Sequence, residues 1–233
     1  MQNNELSLND IRRLISSLWD TLTEEQRYAV EESLSIRKYK KNEIIYTEEE
    51  MPTCIYCVLT GKVKIYRDGV GGRSQIMRML KPVEYFGYRA YFANERYVTT
   101  AAAFEPSTIC SIPITIIGDI VKQNNHLAVF FIRQLAADLG QSDERTVNLT
   151  QKHIRGRLAE SLLFLKENYG LEEDGATIDI YLSREDLASL SNMTTSNAIR
   201  TLSNFASERI IAIDGRKIKI INEDALRKIS KIG

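Results

Sequence analysis

Apolar positions along the chain follow two different periods, which divide it into helical and sheet-forming parts. Within residues 6–34 they recur at the spacing of a helix, and Thr23-Glu-Glu-Gln26 has the form of a capping box that opens a second helical segment. From about residue 36 to Pro113, short runs rich in Ile, Val and Tyr alternate with glycine-containing turns. The pattern predicts a helical preface followed by short antiparallel strands in a sandwich, barrel or jelly roll.

Helical periodicity returns from about Ile114 to Leu149 without a proline, and it predicts a long central helix. Its apolar positions form a stripe that contains Leu127, Phe130, Phe131, Leu135, Ala136 and Leu139. Such a stripe needs a partner surface. It can pack on the sheet domain, or it can join two copies of the chain in a symmetric dimer.

The last 60 residues begin with the order of a helix-turn-helix. A predicted strand over 177–182 leads into Ser183, which suits a helix N-cap because two carboxylates follow in the first turn. Asn192 tolerates the left-handed backbone of a turn, and a threonine caps the second helix, 194–206. Two short helices separated by about three residues are typical of this motif.

A hairpin is predicted after the two helices. The Ile-rich runs 210–213 and 217–221 flank Asp214-Gly215, which is a strong hairpin signal, so the whole segment is predicted to be a winged helix. The hairpin carries a basic edge formed by Arg209, Arg216, Lys217 and Lys219. DNA is therefore the expected partner, and the alternative is a winged helix that contacts another protein.

The second helix is the one that lies in the major groove in helix-turn-helix proteins. It holds no acidic residue and a single arginine, Arg200, which can bond the two major-groove acceptors of a guanine. Its hydroxyl and amide side chains can donate to phosphates or to base edges. In the alternative interpretation Arg200 is simply solvated.

Composition narrows the class of protein. The 233 residues hold 31 Lys+Arg and 31 Asp+Glu, so bulk charge does not drive binding, and only the local distribution of charge can serve DNA. A hydrophobic fraction of 43% is normal for a chain that buries a core. No run approaches the length of a membrane span, and the first residues lack the pattern of a signal peptide, so we expect a cytoplasmic protein with no membrane partner.

Candidate chemistry is sparse. His126 and His153 are the only histidines, so we predict neither a metal site nor an enzyme. Cys54 and Cys57 are three residues apart in a predicted strand, which places their thiols on opposite faces; we interpret them as buried structural residues, with redox sensing as the alternative. The glycine-rich loop 68–73 is followed by neither a Lys-Ser/Thr pair nor a helix, which favours a hairpin turn over a phosphate-binding loop.

Over essentially its whole length the sequence resembles the Crp/Fnr family of bacterial transcription regulators. The likeness is carried by the glycine-punctuated strands, the long central helix, the winged helix, and the segments Phe86-Gly-Tyr-Arg-Ala-Tyr-Phe92, in place of the family's FGELGLF-like segment, and Arg157-Leu-Ala-Glu-Ser-Leu-Leu163. It implies an α+β fold with a jelly roll of the cyclic-nucleotide-binding type over 1–120. A dimerisation helix over 121–149 and a winged helix-turn-helix over 150–233 follow.

The resemblance also implies a homodimer that binds double-stranded DNA at a palindromic promoter site. The dimer contacts would come from Leu127, Phe131, Leu135 and Leu139. The DNA contacts fall on Thr195, Ser196 and Arg200 for bases, and on Thr194 and Asn197 for phosphates, with Arg216 and Lys217 in the wing. The acidic loop 172–174 occupies the place where the cyclic-AMP receptor protein touches RNA polymerase, and a solvated loop is the alternative.

The expected effector pocket departs from the cyclic-nucleotide pattern of the family. An ungapped alignment puts Tyr88 at the glutamate that binds ribose, and Tyr97 and Val98 at the Arg-Ser pair that binds the cyclic phosphate. In the alternative, a shift of one residue returns Arg96 to the phosphate position, but the glutamate is still missing. A buried phosphate without a cation or backbone cradle is strongly disfavoured, so cyclic AMP is not the expected effector. The family's iron–sulfur and haem sensors are not expected either, because no cysteine precedes Cys54 and no histidine precedes His126. We expect no cofactor, and either no ligand or an unidentified small molecule in a pocket lined by Phe86, Tyr88, Arg89, Tyr97 and Val98.

Overall fold

In a computed structural model, which describes residues 7–69 and 72–232, the chain forms two compact units. The first contains the described residues up to Arg67 together with Met77–Leu139. The second contains Asp68–Ile76 and the residues from Gly140 onward. Within the described ranges, none of the helices has the length and apolar character to cross a membrane.

The first unit begins with three helices, α1 (Leu8–Leu14), α2 (Ser16–Trp19) and α3 (Glu24–Ser33). The predicted capping box is present, because the Thr23 hydroxyl accepts from the Gln26 N–H and the Gln26 side chain accepts from the Thr23 N–H. Residue 6, the first of the predicted helical stretch, lies outside the described residues. The helical preface is thus confirmed for the part that the structure describes.

Eight strands follow, with a short helix α4 (Tyr88–Phe92) after the sixth. The strands are β1 (Ser35–Tyr39), β2 (Ile44–Tyr46), β3 (Cys54–Thr60), β4 (Val63–Asp68), β5 (Ser74–Leu80), β6 (Tyr85–Phe86), β7 (Thr100–Ala103) and β8 (Ser107–Pro113). They form two four-stranded sheets in the orders β1-β8-β3-β6 and β2-β7-β4-β5. The prediction of short strands up to Pro113 in a jelly roll is confirmed. β4 and β5 are neighbours, as the hairpin interpretation of loop 68–73 required, although Val70 and Gly71 lie outside the described residues.

The two faces of β3 supply two separate cores. Cys57 packs with the helices of the first unit, whereas Tyr56 and Val58 pack in the interior between the sheets. This alternation follows from the two-residue period of a strand. Odd-numbered residues of β3 therefore face the core under the helices, and even-numbered residues up to Val58 face the interior between the sheets.

The central helical region differs from its prediction, because it consists of two helices rather than one. α5 (Ile114–Val121) and α6 (Asn125–Gln151) are separated by a break at Asn124. The Asn124 carboxamide oxygen accepts from the N–H groups of His126 and Leu127, at 2.9 and 3.2 Å, and so satisfies donors at the start of α6. The long helix is therefore interrupted because Asn124 caps the start of α6, although the segment contains no proline.

The second unit contains α7 (Ile154–Tyr169), α8 (Arg184–Leu190), α9 (Thr195–Ser207), β9 (Ile211–Asp214), β10 (Lys217–Ile220) and α10 (Glu223–Ile232). The sequence reading missed α10, which packs against α7. The prediction of a strand over 177–182 was wrong, because this segment forms only isolated β-bridges. Thr177 bridges Lys219 while Ile178 bridges Leu171, so the segment is divided between two neighbours and forms no ladder.

Candidate nucleic-acid interface

Helices α8 and α9 are joined by a four-residue turn with the predicted left-handed residue. Asn192 has a φ of 48°, a conformation that asparagine tolerates better than most residues. The N–H of buried Met193 donates to Ala188 O at 3.0 Å, which fixes the turn against α8. Thr194 then caps α9, because its hydroxyl accepts from the Asn197 N–H at 3.2 Å.

Helix α9 has a buried face and an exposed face. The buried face consists of Ala198, Thr201, Leu202 and Phe205. On the exposed side lie Thr194, Thr195, Ser196 and Arg200, four of the residues expected to contact DNA, and Asn197 is half-buried. The Arg200 guanidinium donates to the Asn197 side-chain oxygen at 2.9 Å. The first turns of α9 thus present hydroxyls and one oriented guanidinium to the surroundings.

The wing is a two-stranded hairpin of β9 and β10, turned at Gly215 with a φ of 55°. Its two lysines are engaged by the acidic loop: Lys217 pairs with Glu172 at 2.9 Å and Lys219 with Asp174 at 3.1 Å. The Asp174 carboxylate also accepts two backbone N–H groups, from Thr177 and Ala176, and these hold its pKa well below its usual range.

Arg216, at the tip of the wing, is exposed and makes no ion pair within the part of the chain that the structure describes. The sequence pattern placed Arg216 and Lys217 together in one basic edge and did not distinguish them. The structure separates them, because Lys217 is already neutralised by Glu172. Arg216 is thus better placed than Lys217 to meet a phosphate.

Sequence reasoning missed Arg184, in the first turn of α8. Its Nη2 donates to Gly215 O at 2.7 Å, so it joins the first helix of the motif to the turn of the wing. Its Nη1 is buried and has no hydrogen-bond partner among the described residues. Backbone phosphates are common partners for arginine beside a helix-turn-helix. The sequence did contain a signal for Arg184, because it follows Ser183, the N-cap of the first helix of the motif, directly.

Segment Asp68–Ile76, which belongs to the second unit, is fixed against α8 and the second half of α6. The Ser189 hydroxyl accepts from the Ile76 N–H and donates to Ser74 O, both at 2.8 Å. The Arg145 guanidinium donates to Ile76 O and to Leu190 O. Burial lowers the pKa of Arg145 to about 10, so the side chain remains a cation at neutral pH. These bonds hold the end of α8 in place, directly before the turn that leads to α9.

In the first unit, the residues of the expected effector pocket do not converge on one cavity. Phe86 and Tyr97 are buried between the sheets in a cluster of aromatic rings, where Tyr97 stacks on Tyr46 at a centroid distance of 3.8 Å and Phe86 on Tyr56 at 5.1 Å. Burial raises the pKa values of Tyr46 and Tyr56 to about 12. Neutral rings therefore occupy this interior.

The other three expected pocket residues lie elsewhere. Tyr88 belongs to the core under the helices, where its hydroxyl donates to Asp138 of α6 at 2.8 Å; the same carboxylate pairs with Arg78 at 2.7 Å. Burial and the Asp138 charge raise the pKa of Tyr88. Arg89 pairs with Glu95 on the surface, and Val98 is exposed. Tyr88 thus makes a structural bond to the long helix and does not line the space between the sheets.

Cys54 and Cys57 face different cores, as their spacing predicted, but Cys54 is only half-buried, whereas the interpretation had both residues buried. Cys57 lies opposite Cys110 in the β3/β8 register, and both are buried. Burial raises the pKa of the Cys110 thiol to about 12 and raises that of Cys57 as well, so both are protonated at neutral pH. No cluster of metal-ligating side chains occurs among the residues described.

Helix α6 carries two apolar stripes where the sequence suggested one. The inner stripe, Leu127, Phe131 and Leu135, packs in the core of the first unit, and the first two of these are 0% and 2% exposed. The outer stripe, Val129, Ile132, Ala136 and Leu139, is exposed. Four residues were expected at a dimer contact. Leu127 and Phe131 are buried in the core of their own chain, and Leu135 is partly buried there. Of the four, Leu139 is the one that is exposed.

A two-sheet β domain, a long helix and a winged helix-turn-helix in this order define a two-domain DNA-binding regulator. Residues 36–124 match the model of the cyclic nucleotide-binding domain, and residues 156–229 match that of the Crp-like helix-turn-helix domain. The chain belongs to the Crp/Fnr family of transcription regulators.

Individual relatives are distant. The global nitrogen regulator of Nostoc sp. is 25% identical over 189 residues, which cover 79% of this chain and 84% of that protein. FixK2 from Bradyrhizobium japonicum has a similar fold, with a TM-score of 0.76 and 22% identity over 84% of this chain and 96% of that chain. A transcriptional regulator of the Crp/Fnr family from Thermus thermophilus gives a TM-score of 0.70 and 21% identity, over 84% of this chain and 98% of that chain.

Proposed function

We propose that the protein acts as a homodimer that binds a palindromic promoter site in the cytoplasm, with helix 194–206 of each copy in the major groove. The observation that carries this proposal is the exposed face of α9, on which hydroxyls and Arg200 project while Ala198, Leu202 and Phe205 face inward. The outer stripe of α6 supports the dimer, because its spacings of three, four and three residues are those of a coiled-coil seam.

Selection of binding sites from random or genomic DNA tests the proposal, and a palindromic consensus is the expected result. The competing function is a module whose winged helix contacts a protein. Salt separates the two functions, because DNA binding weakens steeply with added salt as counterions are released. Failure to select any sequence, together with salt-insensitive capture of a protein, would favour the competing function.

An effector in the sheet domain, which the family relationship implies, would meet the aromatic cluster of Tyr46, Tyr56, Phe86 and Tyr97. Such an effector is proposed to be a small apolar or aromatic molecule that displaces one of these rings. The acidic loop 172–174 is a proposed contact for RNA polymerase. Because Glu172 and Asp174 are paired with wing lysines, Glu173 is the loop carboxylate that would carry this contact.

Cyclic AMP and cyclic GMP are expected not to bind. The ungapped alignment puts Tyr97 at the arginine of a cyclic-nucleotide site, and the Tyr97 ring is stacked on Tyr46 in an interior that would have to accept a phosphate anion. Isothermal titration of the purified protein should give no binding heat with either nucleotide, while a cyclic-AMP-binding regulator in the same buffer gives a normal isotherm. Saturable, tight binding would contradict this expectation and show that the cluster opens for nucleotides.

Arg216→Ala is expected to weaken DNA binding equally for all sequences. It would lower the slope of log K against log salt by about 1 for each copy of the chain, because one phosphate contact is lost. Lys217→Ala should change the slope less, since Lys217 is already paired with Glu172. Arg13→Ala, an exposed site in α1, is the control and should leave the slope unchanged. Equal effects of the two wing substitutions would contradict the distinction drawn between them.

A further inference from the structure

Helix α9 exposes one large apolar side chain that the proposed DNA contacts leave unused. Ile199 is 47% exposed, although the apolar residues on the opposite side of the helix are buried. It lies one turn after Thr195 and one turn before Ser203, both of which are exposed, so it stands within the exposed face. Because Ile has a lower helix propensity than straight-chain residues, neither packing nor helix formation favours it here.

We propose that Ile199 contacts the 5-methyl group of a thymine in the DNA site. The edges of base pairs in the major groove offer hydrogen-bond donors and acceptors, and thymine adds an apolar methyl group. Threonine, serine and arginine side chains on the same face suit the polar groups. Among the exposed residues of α9 that the structure describes, Ile199 has the largest wholly apolar side chain, so it suits the methyl best. The inference rests on the proposed function, because it takes α9 as the helix in the groove.

The expected thymine lies close to the guanine assigned to Arg200. The two residues are consecutive, so their Cα atoms are about 3.8 Å apart, which is close to the rise of about 3.4 Å between base pairs. The Asn197 side-chain oxygen accepts from the Arg200 guanidinium at 2.9 Å, which orients Arg200 on the exposed face. The half-site is therefore expected to carry a thymine within about one or two base pairs of that guanine.

The experiment replaces thymines by deoxyuridine, which lacks only the methyl group. After the site has been selected with the full chain, each thymine of the half-site is replaced in turn and the affinity is measured by gel shift. At one position the wild-type protein is expected to lose about fourfold in affinity, which corresponds to about 0.8 kcal/mol for one buried carbon group. Replacement in both half-sites is expected to cost about fifteenfold.

Variants link this loss to the side chain. Ile199→Ala should bind thymine and deoxyuridine sites equally, while Ile199→Val should keep part of the difference. Ile232→Ala, at an isoleucine that is 74% exposed in α10, is the matched control and should keep all of it. If a site is selected but no thymine position is sensitive, or if Ile199→Ala keeps the sensitivity, the inference is overturned. If no DNA sequence is selected at all, the proposed function fails, and the inference fails with it.

Discussion

Replacement of both Ile132 and Leu139 by glutamate is expected to convert the protein to monomers and to weaken binding to a palindromic site by about 100- to 10,000-fold. The two side chains are each 62% exposed in the single chain and lie one heptad apart on the outer stripe. Four carboxylates in a paired seam would be buried without partners, which strongly opposes association. Because each chain then binds one half-site alone, the gain from simultaneous binding is lost.

Sedimentation or light scattering would measure the mass, and gel shift would measure the affinity for whole and half sites. Ile232→Glu, an equally drastic change on an exposed residue away from the outer stripe, is the control and should leave the mass unchanged. Since neither Ile132 nor Leu139 belongs to the buried core, the circular dichroism spectrum of the double variant should match that of the wild type. A variant that is still dimeric would show that the copies associate through another surface.

Arg200→Ala is expected to remove the preference for guanine at one position of each half-site and to lower the affinity about tenfold to a hundredfold per half-site. The cause is the loss of two hydrogen bonds from a planar guanidinium, which Asn197 holds in the single chain. Arg200→Lys keeps the charge but loses the two-bond geometry, so it should retain nonspecific binding and lose the preference. An unchanged site preference in Arg200→Ala would contradict the assignment of this residue to base reading.

The elements with strong local signals were the ones that the sequence predicted correctly. The cap at Thr23, the left-handed Asn192 and the Asp-Gly turn of the wing each depend on a few consecutive residues, and the structure contains all three. Thr195, Ser196 and Arg200, which the family resemblance placed at base-reading positions, are exposed on α9. A winged helix can thus be predicted from the caps and turns that a few consecutive residues determine.

The errors concern contacts between residues that are distant in sequence. The break before α6 depends on Asn124, whose carboxamide also donates to Thr21 O at 2.8 Å, about a hundred residues earlier. The expected pocket was assembled from residues that are close in sequence, but the fold places Tyr88 in the core under the helices and Tyr97 in the interior between the sheets. A periodic stripe likewise does not reveal which partner it packs on, so Leu127 and Phe131 were assigned to a second chain although their own chain buries them.

In the proposed dimer, the two stripes of α6 would make protein concentration a regulatory variable. Since the inner stripe is buried within each chain and the outer stripe would be covered only in the dimer, the fraction of assembled protein would follow mass action. At concentrations well below the dissociation constant of the dimer, each copy would offer DNA a single recognition helix. Synthesis and degradation of the protein would then set promoter occupancy with a steeper than linear response, before any small molecule acts on the sheet domain.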